Sequence, residues 1–334
     1  MLCMGPLHAA RAAMILVADF GGTNARAALA WQGTDGIVLE RLRVETLADG
    51  QAPAHWLREY YLAQGRPALR NALACAAGPV ETAADGLRRI HFTNRPAELD
   101  TRLLAQTCGS RQSELLNDFE AVAHALPALK PADLHLHGGA LGEGTRLAIG
   151  AGTGLGIAAW LPAGGGAVVA GEGGHARLAP GNAREAALLT RLADHEGFVA
   201  AEDLLSGPGL LRLHRVLCVE AGIAPSCRDA GEVWQQWLAG SPVARNAVAF
   251  FTSLLGRYAG DLALAFGATG GVYLAGGIIP GWGTHFDLAR FREGFEAKGR
   301  YRDYAASIAS ATVLHPQPAL LGLATRGLAK ARKK

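Results

Sequence analysis

Residues 15–29 read ILVADFGGTNARAAL, and this stretch decides the fold. Ile15–Ala18 is an apolar run too short for a helix and closed by a turn signal, which is how a buried strand reads. Gly21, Gly22, Thr23 and Asn24 turn the chain back, and residues 25–31 continue as a second strand. Residues 37–44 then alternate apolar and polar, the pattern of a half-buried third strand. A turn built from two glycines and a threonine presents backbone N–H groups with no side chain in the way. Such concave arrays bind anions, phosphate above all. Asp19 stands just before the turn, where a carboxylate can hold Mg²⁺, directly or through water, against those phosphates. A tight hairpin with no ligand is the competing reading.

Further along, the pattern restarts. Residues 145–151 read as a strand, Gly152, Thr153 and Gly154 as a turn, and residues 155–161 as a strand, with Val168 and Val169 marking a third. Shifting the first segment so that Gly22 falls on Gly152 also lays Thr23 on Thr153. The chain therefore reads as an internal repeat. Two α/β lobes that each open with a glycine-turned hairpin are expected to bring both turns to one cleft, a common ligand site. Between the hairpins lie a helix at 53–63, strands near 69–77 and 87–93, a helix near 96–106, a strand at 113–117 and a helix at 119–126. After the second hairpin, helices fill most of 183–267. A strand at 271–275 runs into Gly276 and Gly277, and helices near 285–297 and 317–329 follow.

Composition narrows the function. The chain has 334 residues, half of them apolar and 18% charged, enough for a large core and too few charges for disorder. Its 44 glycines are not periodic and cluster at turns. Lys plus Arg (32) nearly balance Asp plus Glu (29), which argues against nucleic acid as the partner. There are five cysteines, no Cys-x-x-Cys pair and no Asn-x-Ser/Thr sequon, so a reducing cytoplasm fits best. The longest apolar helix candidate, 242–267, carries Arg245, Arg257 and Asp261, so no membrane span is expected. Residues 1–13 read as a disordered extension, and Met14 offers an alternative start. Gly-Lys, required by a Walker A loop, does not occur. The glycines at 154 and 156 do not open a helix, as a dinucleotide loop would require.

Three further places carry chemistry. Asn117 and Asp118 stand where an apolar strand gives way to a helix, and Asp118 can take a proton from an attacking hydroxyl or simply cap the helix. Glu172 and His175 share a glycine-rich loop, where an acceptor and a donor suit vicinal sugar hydroxyls; an ordinary surface loop is the alternative. Glu202 offers one more acceptor at the start of an apolar helical stretch.

The segments ADFGGTNARAAL, LLNDFEAVAHALP, IGAGTGLGIAAWLP, GEGGHARLAP, AEDLLSGPGL, LAGGIIP and HPQPALLG occur in this order from about residue 18 to residue 322. Together they resemble the bacterial glucokinase family, in the hexokinase branch of the actin-like ATPase (ribonuclease H-like) fold. The resemblance implies two α/β lobes around a cleft: a small one of 14–117 plus 317–334 and a large one of 118–316. It implies transfer of the γ-phosphoryl of ATP to the 6-hydroxyl of glucose, giving glucose 6-phosphate and ADP, the first step of glycolysis. Asp118 resembles the catalytic base, and Asn117, Glu172, His175 and Glu202 the sugar ligands. Asp19, Gly21, Gly22, Thr23 and Asn24 look like the first phosphate hairpin with its Mg²⁺-associated carboxylate. Gly152, Thr153 and Gly154 look like the second, and Gly276 and Gly277 like the turn beside the adenosine. A homodimer is implied as well. Two departures stand out: the basic residue that often follows the proline of the GGxxP segment is Gly281 here, and the zinc motif of the related repressor/kinase family is missing. Within this fold the rival readings are a kinase for another hexose, such as mannose or an N-acetylhexosamine, a sugar-sensing regulator, and an ATPase with a protein partner.

Overall fold

The computed structural model describes residues 14–21, 24–48, 50–92, 97–193, 195 and 197–329. The expected extension at 1–13 lies outside them. The chain divides into two compact units, Met1–Lys130 with His315–Lys334, and Pro131–Leu314.

The first unit contains β1 (Ile15–Phe20), β2 (Asn24–Gly33), β3 (Gly36–Thr46), β4 (Asn71–Ala76), β5 (Val80–Thr82), β6 (Arg88–His91), β7 (Glu98–Asp100) and β8 (Ser113–Asn117). Its main sheet has the order β3-β2-β1-β4-β8. The two hairpin pairs are antiparallel, while β1 with β4 and β4 with β8 are parallel. β1 and β4 are buried along their whole length. That explains why they read as continuous apolar runs, as strands covered on both faces do. Helix Pro53–Ala63 adds Trp56, Leu57 and Tyr60 to the core formed with Leu16, Ala18 and Phe20. Helix Pro318–Ala329 packs on β1, β2 and β4, and also on helix Asp118–Ala125. That last approach is so close that a Cβ on Gly322 would stand 1.7 Å from the Ala121 carbonyl oxygen. This packing keeps the 118–125 helix in the first unit, whereas the sequence reading began the large lobe at 118. The small β5-β6-β7 sheet also departs from expectation, because its last strand occupies the start of the helix anticipated at 96–106. The helix itself is Thr101–Cys108, capped by the Asp100 carboxylate, which accepts from the Leu103 N–H at 2.6 Å.

The second unit contains β9 (Leu134–His137), β10 (Arg146–Ala151), β11 (Leu155–Leu161), β12 (Ala167–Gly171), β13 (Gly271–Ala275) and β14 (Ser310–Val313), in the order β12-β11-β10-β13-β14-β9. β10, β11 and β12 form antiparallel pairs, and β10, β13 and β14 parallel ones. The run β12-β11-β10-β13-β14 thus repeats the order and strand senses of β3-β2-β1-β4-β8, the duplicated pattern of the actin-like ATPase fold. β9 is an added antiparallel edge. The helix Pro242–Phe266 is the largest single contributor to this unit's apolar core, joined by Gly207–Glu220 and Leu288–Glu296. No helix among the described residues is long and apolar enough to cross a membrane, and Cys75, Cys108, Cys218 and Cys227 are free and buried.

Candidate functional site

In the first unit, the register of β1 decides what surrounds Asp19. Arg26 lies directly across on β2 and Cys75 directly across on β4. An Arg26 guanidinium N–H donates to Asp19 Oδ2 at 2.9 Å, and the Cys75 thiol to Oδ1 at 3.5 Å. Asp19 is only 8% exposed. Burial pushes its carboxyl up and Arg26 opposes the rise. Burial, with Asp19 and Asp118 nearby, holds the Cys75 thiol well above its ordinary value. At the turn, the Gly21 N–H donates to the Asn24 carbonyl at 2.9 Å, and the Asn24 side chain accepts from the Thr46 hydroxyl at 2.9 Å. Gly22 and Thr23 lie outside the described residues.

Asn117 ends β8 and caps the helix that follows. Its Oδ1 accepts from the N–H groups of Phe119 (2.9 Å) and Glu120 (3.2 Å), and the Glu120 carboxylate accepts in return from the Asn117 N–H at 3.4 Å. Its Nδ2 donates to the Gly78 carbonyl at 3.1 Å, and its side chain also hydrogen-bonds the Asp118 carboxylate. Because Asn117 is the cap, Asp118 occupies the first helical position, where its carboxylate accepts from the Phe119 N–H at 2.8 Å. Burial and the neighbouring Asp19 push the Asp118 carboxyl from 3.8 up to about 6, against the opposing pull of the backbone N–H groups and Asn117. A carboxylate poised this close to neutrality suits a general base.

The Asp19 carboxylate is a hard oxygen donor, which fits a dication such as Mg²⁺. Among the described residues no group of three or more His, Cys, Asp or Glu forms a closed metal cage. Any Mg²⁺ held at Asp19 would take its remaining ligands from phosphate oxygens and water.

In the second unit, Glu202 ties the turn to the sugar-loop candidates. Its Oε2 accepts from the Leu155 N–H at 2.7 Å, and its backbone N–H donates to the Gly174 carbonyl at 2.8 Å. A Cβ on Gly154 would stand 2.5 Å from that same Oε2, so the glycine is what admits the carboxylate. Glu172 and His175 stay largely exposed, with carboxylate and imidazole 3.9 Å apart. Thr153 is exposed at the tip of the turn. The Gly207 N–H donates to the Gly152 carbonyl at 2.7 Å. Gly276 has φ +80° and would place a Cβ 2.5 Å from the Ala151 carbonyl oxygen, so it holds the turn after β13 against the end of β10. Gly277 differs: its φ is −91° and a Cβ there would meet nothing within 4 Å. Neither backbone nor packing requires glycine at 277, and the space above it is open.

Within the first unit the structure thus brings Asp19, Asn117 and Asp118 into one electrostatic neighbourhood. Within the second it gathers Gly152, Gly154, Glu202 and the 172–175 loop, with Gly276 and Gly277 beside the same turn. Sequence reading missed Arg26, and the signal was there. A two-residue advance on each side of the 21–24 turn lays position 26 opposite position 19.

The comparisons agree with this architecture. The family model described as Glucokinase matches residues 16–330. A glucokinase of Paramagnetospirillum magneticum is 39% identical over 322 residues, covering 93% of this chain and 96% of that protein. One of Aromatoleum aromaticum is also 39% identical over 322 residues, covering 93% of each. The crystal structure of a glucokinase from an Antarctic psychrotroph superposes with a TM-score of 0.84 at 31% identity, covering 95% of this chain and 99% of that one. With the repeated sheet, the capped aspartate and the full-length match in agreement, this chain belongs to the glucokinase family.

Proposed function

We propose that this protein is an ATP-dependent hexose kinase that phosphorylates the 6-hydroxyl of glucose, with Asp118 as the base. The observation that carries this is the division of labour at the start of the 118–125 helix. Asn117 does the capping, and the next carboxylate, released from that role, has its carboxyl held at about 6 by burial and the neighbouring Asp19.

In this reading Asp118 accepts the 6-hydroxyl proton as O6 bonds to the γ-phosphorus. The bond from that phosphorus to the β–γ bridging oxygen breaks, and ADP leaves. Asn117 holds the Asp118 carboxylate in place and lines the same hydroxyl's site. Glu172 and Glu202 accept from other sugar hydroxyls and His175 donates to one. The 21–24 turn and the 152–154 turn offer backbone N–H groups and threonine hydroxyls to the phosphates. Asp19 would hold Mg²⁺, directly or through water, and that ion supplies charge neutralisation on the phosphates. Arg26 keeps the Asp19 carboxylate charged and aimed. Gly276 and Gly277 shape the turn that meets the adenosine. A cytoplasmic homodimer belongs to the same reading, and the buried free thiols support the reducing compartment.

Initial rates of ADP release with glucose, mannose and N-acetylglucosamine, each with MgATP, test the proposal. Glucose should give the highest kcat/KM, with little release when sugar is omitted. Equal release with and without sugar would make the protein an ATPase and end the argument.

A further inference from the structure

Three tryptophans of the second unit form a stack. Trp237 lies on Trp234 with ring centres 4.5 Å apart and planes 8° from parallel, and Trp234 lies on Trp282 at 4.8 Å and 12°. His285 meets the first two edge-on at 5.6 and 6.1 Å, and Phe251 closes on Trp282 at 5.5 Å. Stacking at these separations is favourable beyond the area it buries.

The attachment of Trp282 gives the stack its interest. Trp282 is the last residue of the helix Ile278–Trp282, which begins directly after Gly276 and Gly277. This five-residue helix has no side-chain N-cap and is flanked by Gly277 and Gly283, and it contains Pro280 and Gly281. A segment of this length and composition has almost no intrinsic helicity. Its conformation is set by what it is anchored to, and its buried residues are Ile279 and Trp282. Trp282, 6% exposed, is held face-on by Trp234, which belongs to a different element, the helix Ala230–Leu238. The 277 turn is therefore held on one side by the packing of Gly276 against β10 and on the other, through two indole faces, by a helix roughly forty residues earlier in the chain.

We infer that Trp234 and Trp282 are positioning residues for the nucleotide: the stack clamps the 276–282 segment so that the turn keeps the shape that receives the adenosine. This rests on the reading of Gly276 and Gly277 as the nucleotide turn. Trp237 and His285 brace the far side of the clamp. Sugar recognition, which uses the 172–175 loop and Glu202, does not depend on it.

The test is steady-state kinetics on the full chain for Trp234→Ala, Trp234→Phe, Trp282→Phe and Gly277→Val, with Tm recorded for each. Loss of the clamp should raise KM for ATP about tenfold in Trp234→Ala, since small displacements at a binding turn are costly. KM for glucose should stay within about twofold, and Trp234→Phe, which keeps a stacking face, should recover most of the loss. If Trp234→Ala fails to fold, Trp282→Phe provides the same split at smaller amplitude. A lowered Tm with both KM values unchanged would show ordinary core packing and overturn the inference, as would a parallel rise in both. Gly277→Val checks the underlying turn, because its side chain enters open space. If it leaves KM for ATP unchanged, the nucleotide turn itself is wrongly assigned. If it raises KM while the tryptophan variants do not, only the clamp fails.

Discussion

Replacing Asp118 by Asn should make the protein more stable and almost inactive. The folded state holds the Asp118 carboxyl at about 6 rather than 3.8, and this difference is a cost of keeping the charged form in the native state at neutral pH. At 1.36 kcal/mol per pH unit the cost is about 3 kcal/mol at pH 7.5, an upper figure for a group that is not fully buried. The amide has no charge to desolvate, does not oppose Asp19, and can still accept from the Phe119 N–H through its carbonyl oxygen. A gain of about 2 kcal/mol corresponds to a Tm increase of roughly 5 °C for a protein unit of this size. Turnover should fall by about 10²–10⁴ because no base remains at that position. The sign with pH follows from the raised value. Between 3.8 and about 6 the folded state binds the extra proton, so the penalty is full above about 6 and fades as pH falls toward 3.8. The two Tm curves should therefore converge in acid, and the wild-type rate should drop tenfold per pH unit below about 6. Thermal unfolding from pH 4.5 to 8, with a coupled assay for glucose 6-phosphate, reads both effects. A variant that keeps kcat within tenfold of wild type, or that melts below it at pH 7.5, would refute the assignment of a strained base.

Arg26→Met should cost about 2 kcal/mol, because it leaves a buried carboxylate without its partner; it should also raise the Mg²⁺ concentration needed for half-maximal rate, and an unchanged Mg²⁺ titration would count against Asp19 as the metal carboxylate. Gly322→Ala should lower Tm by several degrees, since its Cβ would fall 1.7 Å from the Ala121 carbonyl oxygen and helices forced apart typically lose about 1–3 kcal/mol; a neutral Tm would show that the two helices separate freely. Gly154→Ala should displace the Glu202 carboxylate from the Leu155 N–H and raise KM for glucose and ATP together, and a change in only one of them would show that the turn and the sugar acceptors act independently.

Much of this was legible in the residues because the buried strands announce themselves. ILVADF and NALACA are apolar except for Asp19 and Asn71, and each repeated strand pair is joined by a glycine turn. The sequence also contained the duplication, since Gly22 and Thr23 lie in register with Gly152 and Thr153. What it hid was set by distant contacts. Ser310–Val313 is a four-residue strand of mostly small side chains, and only its place beside β13 makes it one. Leu134–His137 alternates leucine and histidine and is a strand because β14 offers it an edge. The division of roles between Asn117 and Asp118 was open, because either residue type can cap a helix. Geometry gives the cap to Asn117, whose Oδ1 reaches the Glu120 N–H. Glu202 read as an isolated acceptor, and its link to Leu155 spans 47 residues, beyond any local pattern.

The helix Pro318–Ala329 has a consequence for how the molecule is made. When residue 130 leaves the ribosome, the first sheet has all five of its strands but lacks the element that covers β1 and β4 and supports the helix bearing Asp118. That element arrives only after the whole of 131–314 has been synthesised. The N-terminal part must wait, with an apolar sheet face open, while the intervening body is translated. The reactive carboxylate then acquires its final support only when nearly the entire polypeptide exists, so an interrupted chain cannot phosphorylate sugar.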